Sequence, residues 1–224
     1  MINEFKNFAV KHIGIPTTTL EDYMKAEHAS MTPYILEERE MRVTQMDIFS
    51  RLMKDRIIWI GHEVNDHMSQ IVQAQLMFLD NLSQDDITMH IDTPGGSVKS
   101  GLSMYDVMNY IHSDIITINT GMAASMGSIL LGAGTKGKRY SLKHSRVMLH
   151  QLSSGISGNI QDTRIQFEES EKYNKILFDI LGNACDKKPS VVLKDAERDK
   201  WLNAEEAKAY GIIDDIILKK PGKK

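Results

Sequence analysis

The chain has 224 residues, 42% of them hydrophobic and 25% charged, with a formal net charge of −3; that is enough for one large or two small domains with a buried core, and offers no electrostatic footprint for nucleic acid or an anionic membrane. Its one cysteine, Cys185, excludes an intramolecular disulfide framework and a Cys-rich zinc site, and suits a reducing cytoplasmic setting. No apolar run reaches the ~18 residues of a membrane span, and the start, Met1 to Val10, alternates apolar with polar residues instead of forming a secretory block, so neither export nor membrane insertion is expected.

In chain order, residues 1–32 hold Pro16-Thr17-Thr18-Thr19 and a polar stretch with few periodic apolar positions, and read as an N-terminal extension, a candidate propeptide. A compact domain is expected over residues 33–218, with a basic tail over 219–224. Asp47 to Met53 has helical spacing, and Arg56 to Gly61 is a short apolar run closed by glycine, a buried strand. Helical spacing returns from Ser69 to Leu82 through Ile71, Val72, Leu76 and Leu79. Ile87, Met89 and Ile91 then alternate as a strand, and Thr93-Pro94-Gly95-Gly96-Ser97 is a turn. A helix follows from Val98 to Ile111 and a strand from Ile115 to Thr120.

Gly121 to Gly127 leads into a small-residue helix through Leu131. Lys138 to Leu142 and Arg146 to His150 read as strands, and Ser153 to Gly158 as a polar, glycine-containing loop or strand. The recurring strand, turn and helix predict a parallel α/β sheet, with ligands gathering at the carboxyl ends of its strands. Asp162 to Asn183 is a long helix with Tyr173, Ile176, Leu177, Ile180 and Leu181 on one face, able to pack on this domain or on a partner subunit. Fourteen methionines imply pliable core or interface, not a cofactor box.

Ser125 stands at a strand-to-helix junction among Ala and Gly, which suits either an exposed nucleophile on a sharp turn or a helix cap in a tight packing. In the first case the N–H of Met126, at the helix start, faces a developing oxyanion. Pro94-Gly95-Gly96 is either a simple turn or a place where main chain approaches a ligand. His150 ends an apolar strand at the ligand-gathering edge, as a base or as an ordinary half-buried histidine. His62 and His67 bracket Glu63 at i, i+5, whereas two rings on one metal need i, i+4 on a helix; no metal and no cofactor is expected. Asp199 lies in the charged run Lys194 to Lys200, which on local evidence is a solvated face.

Taken together, Thr93-Pro94-Gly95-Gly96, Gly121 to Gly127 around Ser125, Gly137-Lys138-Arg139, Ser145 to Gln151, Glu197-Arg198-Asp199 and Ala204 to Gly211 resemble the ClpP peptidases, from about Pro33 to Leu218. Ser125 precedes His150 by 25 positions, and His150 precedes Asp199 by 49 (150 − 125 and 199 − 150), as in that family. The resemblance implies the ClpP/crotonase-like fold of repeated β-β-α units with a protruding handle helix. It also implies a serine endopeptidase with Ser125, His150 and Asp199 as its triad and Gly96 and Met126 as oxyanion donors. Val98 and Ser153, Ser154 and Gly155 would hold an extended peptide. The implied assembly is a homo-oligomer of two stacked heptameric rings, with the handle at their junction and Arg198 paired across it. An AAA+ unfoldase of the ClpX, ClpA or ClpC type would deliver unfolded protein to the chamber.

One departure stands out: after His150-Gln151 the family continues with proline and a Gly-Gly pair, whereas this chain has Leu152-Ser153-Ser154-Gly155. Two alternatives remain on sequence grounds. One is a crotonase-superfamily acyl-CoA enzyme, which shares the sheet and glycine oxyanion donor without needing the triad; the other is a structural or weakly active paralogue in a mixed ring.

Overall fold

The computed structural model describes residues 34–39, 42–153, 155 and 158–219, with side chains described from residue 46 onward. The expected extension over 1–32, the boundary at Pro33 and the tail beyond Lys219 lie outside these residues. The chain divides into two units, Met1–Lys54 and Asp55–Lys224.

In the first unit β1 (Tyr34–Arg39) and β2 (Arg42–Asp47) form an antiparallel hairpin in which Tyr34 stands opposite Asp47. Neither strand was legible from apolar alternation, since β1 ends in Glu-Glu-Arg and β2 mixes charge with polar residues. Helix α1 (Ile48–Lys54) follows, one residue later than the spacing suggested. Asp47 stays outside it because its carboxylate accepts from the backbone N–H groups of Phe49 and Ser50, both at 3.0 Å, as an N-terminal cap does.

The second unit is built on a seven-stranded sheet. In chain order its elements are β3 (Ile57–Ile60), α2 (Asp66–Leu82), β4 (Ile87–Thr93), α3 (Val98–Tyr110), β5 (Ile115–Ala124), α4 (Met126–Gly132), β6 (Arg139–Leu142), β7 (Arg146–Leu149), α5 (Ile160–Ala184), α6 (Pro189–Asp195), β8 (Lys200–Leu202), α7 (Ala204–Tyr210) and β9 (Asp215–Ile217). The path β3-β4-β5-β6-β9 is parallel throughout, and β7 joins β5 in parallel and β8 in antiparallel fashion. The mixed α/β fold with a parallel sheet is the one expected, with the ClpP-like succession of strands and crossing helices.

The core follows the period-two signal. Ile87, Met89 and Ile91 are fully buried on β4, beside Ile58 and Ile60 of β3 and Leu76 and Leu79 of α2; each such side chain contributes about 1.5–3 kcal/mol by leaving water. Every residue of α4 is buried, which is why its sequence is small and apolar all round. Four methionines, Met89, Met104, Met108 and Met126, are core residues.

Several boundaries differ from the sequence reading for local reasons. Helix α2 begins at Asp66, ahead of the apolar pattern, because the Asn65 side chain accepts from Met68 N at 2.9 Å and caps it there. Helix α5 likewise starts at Ile160 behind the cap Asn159. On α5 the buried residues are Leu177, Phe178, Leu181 and Gly182, while Ile176, expected on the packed face, is 43% exposed. Strand β5 runs on to Ala124 and changes partner on the way: Thr117 to Asn119 pair with β6, whereas Met122 to Ala124 pair with β7. Buried Asn119 sits at the changeover, its amide donating to Arg146 O at 3.0 Å and its oxygen accepting from Gly121 N at 3.3 Å. The charged run before Asp199 is not one solvated face, since it closes α6 and opens β8.

Candidate active site

Strands β4, β5 and β7 are parallel, so the residues that follow them, Pro94-Gly95-Gly96, Ser125 and His150, emerge at the same carboxyl edge of the sheet. Ligands of parallel sheets gather at such an edge. Strand β8 runs the other way, so its amino end comes to that edge instead. Its register pairs Val147 with Leu202, Met148 with Trp201 and Leu149 with Lys200; one step further, His150 faces Asp199. Two residues 49 positions apart are thereby brought opposite each other by a short antiparallel ladder.

Ser125 has the left-handed backbone conformation φ 53, ψ −121. A non-glycine residue held there carries about 1–3 kcal/mol of strain, and the turn lifts its hydroxyl out of the sheet, as a strand-to-helix elbow requires. The strain is held by the surrounding bonds: Ser125 N donates to Met148 O at 3.0 Å, and Ser125 O accepts from Ser128 N at 2.9 Å and Ser128 Oγ at 2.7 Å. The helix-cap alternative is not realised, because the Ser125 side chain caps no backbone N–H. Its Oγ instead lies 2.8 Å from His150 Nε2. The hydroxyl donates in that contact when His150 carries its proton on Nδ1, the tautomer that leaves Nε2 free to accept.

His150 Nδ1 stands 3.8 Å from Asp199 Oδ1, with side-chain exposures of 26% and 65%. This is ion-pair distance and beyond a hydrogen bond. The carboxylate thus stands on the Nδ1 side of the ring, the side opposite the Ser125 contact.

The glycine turn lies against Ser125. A Cβ placed on Gly95, whose φ is 95, would come 2.6 Å from Ser125 Cβ and 2.9 Å from Met126 N; only glycine fits there. Gly96, with φ 144, lines the pocket beside Ser125. Met126 is the first residue of α4, so its N–H has no acceptor within the helix, and the helix start favours negative charge.

Beside Ser125 opens a pocket of about 150 Å³. Of the residues expected to bind peptide, Val98 and Ser153 line it together with Gly96, Ser125 and His150. Gly155 is exposed and is not part of its wall, and Ser154 lies outside the described residues. The apolar wall, Ile129 with Leu152, Leu177, Phe178 and Leu181, was missed as a site by sequence reasoning. Leu177 and Leu181 were marked as one face of a helix, but nothing local says that this face closes a pocket beside Ser125, which is distant in sequence. Leu152 N donates to Asn174 Oδ1 on α5 at 3.1 Å, a bond that the family's usual proline has no N–H to make.

Among the described residues no group of three or more His, Cys, Asp or Glu side chains is placed to hold a metal, and no helix is long and apolar enough to cross a membrane. His62 and His67 converge on no such group.

Comparison with known proteins points the same way as the residues. The sequence model described as Clp protease matches residues 38–220. A protein of Bacteroides fragilis (strain YCH46) named ATP-dependent Clp protease proteolytic subunit is 46% identical over 220 residues, covering 98% of this chain and 100% of its own length. Proteins of the same name from Bacteroides thetaiotaomicron and Porphyromonas gingivalis are 46% and 47% identical, again over nearly the whole of both chains. With the motifs, the parallel α/β sheet and a match that spans most of the sequence in agreement, the chain belongs to the Clp protease family.

Proposed function

We propose that this chain is the proteolytic subunit of an ATP-dependent Clp protease, a serine endopeptidase that cuts unfolded polypeptides. The observation that carries the reading is the 2.8 Å contact between Ser125 Oγ and His150 Nε2 at the mouth of an apolar pocket, in a chain of this family. Ser125 Oγ attacks the peptide carbonyl carbon while His150 Nε2 takes its proton, then returns it to the departing amine; a water activated by the same imidazole releases the acyl group. Asp199 holds the Nδ1 proton in place and favours the imidazolium. The N–H groups of Gly96 and Met126 stabilise the oxyanion. The peptide lies extended along Val98 and Ser153 to Gly155, and the side chain before the scissile bond enters the pocket walled by Leu152, Leu177 and Phe178. At about 150 Å³, that pocket suits one medium-sized apolar side chain, and the backbone-led binding keeps selectivity broad. The domain spans residues 33–218. It assembles as two stacked heptameric rings in the cytoplasm, fed by an AAA+ unfoldase of the ClpX, ClpA or ClpC type.

Folded substrates should therefore resist the subunit by itself. The purified protein should hydrolyse a short fluorogenic peptide with Leu or Met before the reporter, and leave a stably folded protein intact unless the unfoldase and ATP are supplied. Rapid, ATP-independent digestion of the folded protein, followed by gel electrophoresis, would contradict the enclosed-chamber reading.

A further inference from the structure

The segment that carries Asp199 is short. Residues 196–199 join the last residue of α6, Asp195, to the first residue of β8, Lys200. Its two ends are tied together: Lys200 Nζ lies 3.4 Å from Asp195 Oδ1. A partly exposed ion pair alone holds a chain weakly, but here a third element fixes the carboxylate. Tyr210, the last residue of α7, donates its hydroxyl to Asp195 Oδ2 at 2.9 Å. The same aromatic ring lies beneath two ammonium groups, Lys200 Nζ at 5.2 Å and Lys187 Nζ at 4.8 Å from its centroid, both within cation–π range. The cluster therefore joins the α5–α6 loop, the end of α6, the start of β8 and the end of α7. Burial and the bond to Asp195 push the Tyr210 hydroxyl well above its ordinary value, so it stays protonated and donating.

None of these groups touches Ser125 or the pocket. What they fix is the point where β8 begins, and the register at that point sets His150 opposite Asp199. Asp199 itself is exposed and stands at 3.8 Å from Nδ1, so its own contacts do not hold it. We propose that Tyr210, Asp195 and Lys200 are positioning residues that clamp the base of the Asp199 segment and so keep its carboxylate in register with His150. This rests on the reading of Asp199 as the third triad member. A displacement of even about 1 Å in such a group can cost up to 100-fold in rate.

Tyr210→Phe is the sharpest test, since it keeps the ring beneath both lysines and removes only the hydroxyl. In the full-length protein kcat for a short peptide should fall ~10-fold, with KM unchanged within about twofold, because the pocket is untouched. The effect should pass through Asp199: in an Asp199→Ala background, Tyr210→Phe should cost little more. Asp195→Asn, which keeps an acceptor for Tyr210 but weakens the tie to Lys200, should fall between wild type and Tyr210→Phe, and carries the test if Tyr210→Phe does not fold. Wild-type kcat in the folded Tyr210→Phe or Asp195→Asn protein would overturn the inference, as would an equal loss with and without Asp199. Full activity of Asp199→Ala would instead remove Asp199 from the mechanism and sink the underlying reading.

Discussion

Ser125→Ala should lower kcat for a short peptide by on the order of 10⁶-fold while the protein folds and assembles as before. The hydroxyl is the only atom lost. Ala124 and Met126 on either side are buried, and alanine must adopt the same φ of 53 that serine already tolerates, so stability should change by less than about 1 kcal/mol. The bonds that hold the elbow, from Ser125 N to Met148 O and from Ser128 to Ser125 O, are backbone bonds at residue 125 and survive. Only His150 loses a partner. Steady-state kinetics beside sedimentation velocity separate the two readings: an assembled, inactive protein is expected, and an assembled, active one would take Ser125 out of the chemistry.

The largest effect on stability should come from a place remote from Ser125. Arg139 opens β6 with its side chain only 4% exposed, and it is paired with the carboxylate of Asp214, at 2.6 Å from Nη2 and 2.9 Å from Nε. Arg139 also donates to Ala184 O at 2.7 Å, and Asp214 accepts from the backbone N–H groups of Gly137 and Arg139. One pair thus fastens the end of α5 and the approach to β9 onto β6. Asp214→Ala leaves a guanidinium buried without its counter-charge, and should cost about 3–5 kcal/mol. Burial pushes the Asp214 carboxyl up, but the hydrogen bonds and charge of Arg139 outweigh it and hold the group below its ordinary value. Because the folded value lies below the unfolded one, near 3.9, the pair's stability is fully present above that pH and is lost as pH falls through the depressed folded value. Urea unfolding of wild type and Asp214→Ala at one protein concentration checks both points. A loss below about 1 kcal/mol, or a wild type whose stability is flat between pH 5 and pH 3, would be inconsistent with a tightly paired Asp214.

How far the sequence reached depended on whether the relevant contact is local. Ile87, Met89 and Ile91 announced β4 because a half-apolar strand writes its burial in a period of two. The end of β5 was lost because Gly121, Ala123 and Ala124 are small and, with Met122, carry no apolar alternation, although Met122 to Ala124 pair with β7. The surroundings of Ser125 were partly legible: glycines near it suggested a sharp turn, yet only the fold shows that Gly95 is the one pressed against Ser125 Cβ and that Gly96 lines the pocket. Asp199 was illegible by itself. A carboxylate in a charged run reads as solvated, and it is indeed exposed; what sets it apart is a ladder to β7, and long-range pairing leaves no local trace. The resemblance to a known family supplied what periodicity lacked. On α5 the expected stripe was slightly rotated, with Phe178 inside and Ile176 outside, and the buried Leu177, Phe178 and Leu181 line the pocket beside Ser125.

The contact between Ser125 and His150 is the centre of this account, and covalent labelling reads it directly. A fluorophosphonate reagent reacts with a serine only where a neighbouring base has activated the hydroxyl. Intact mass should show one adduct per chain, peptide mapping should place it on Ser125, and His150→Ala should slow its formation by on the order of 10³-fold or more. Labelling at another residue, or labelling of Ser125 at an undiminished rate in folded His150→Ala, would contradict it.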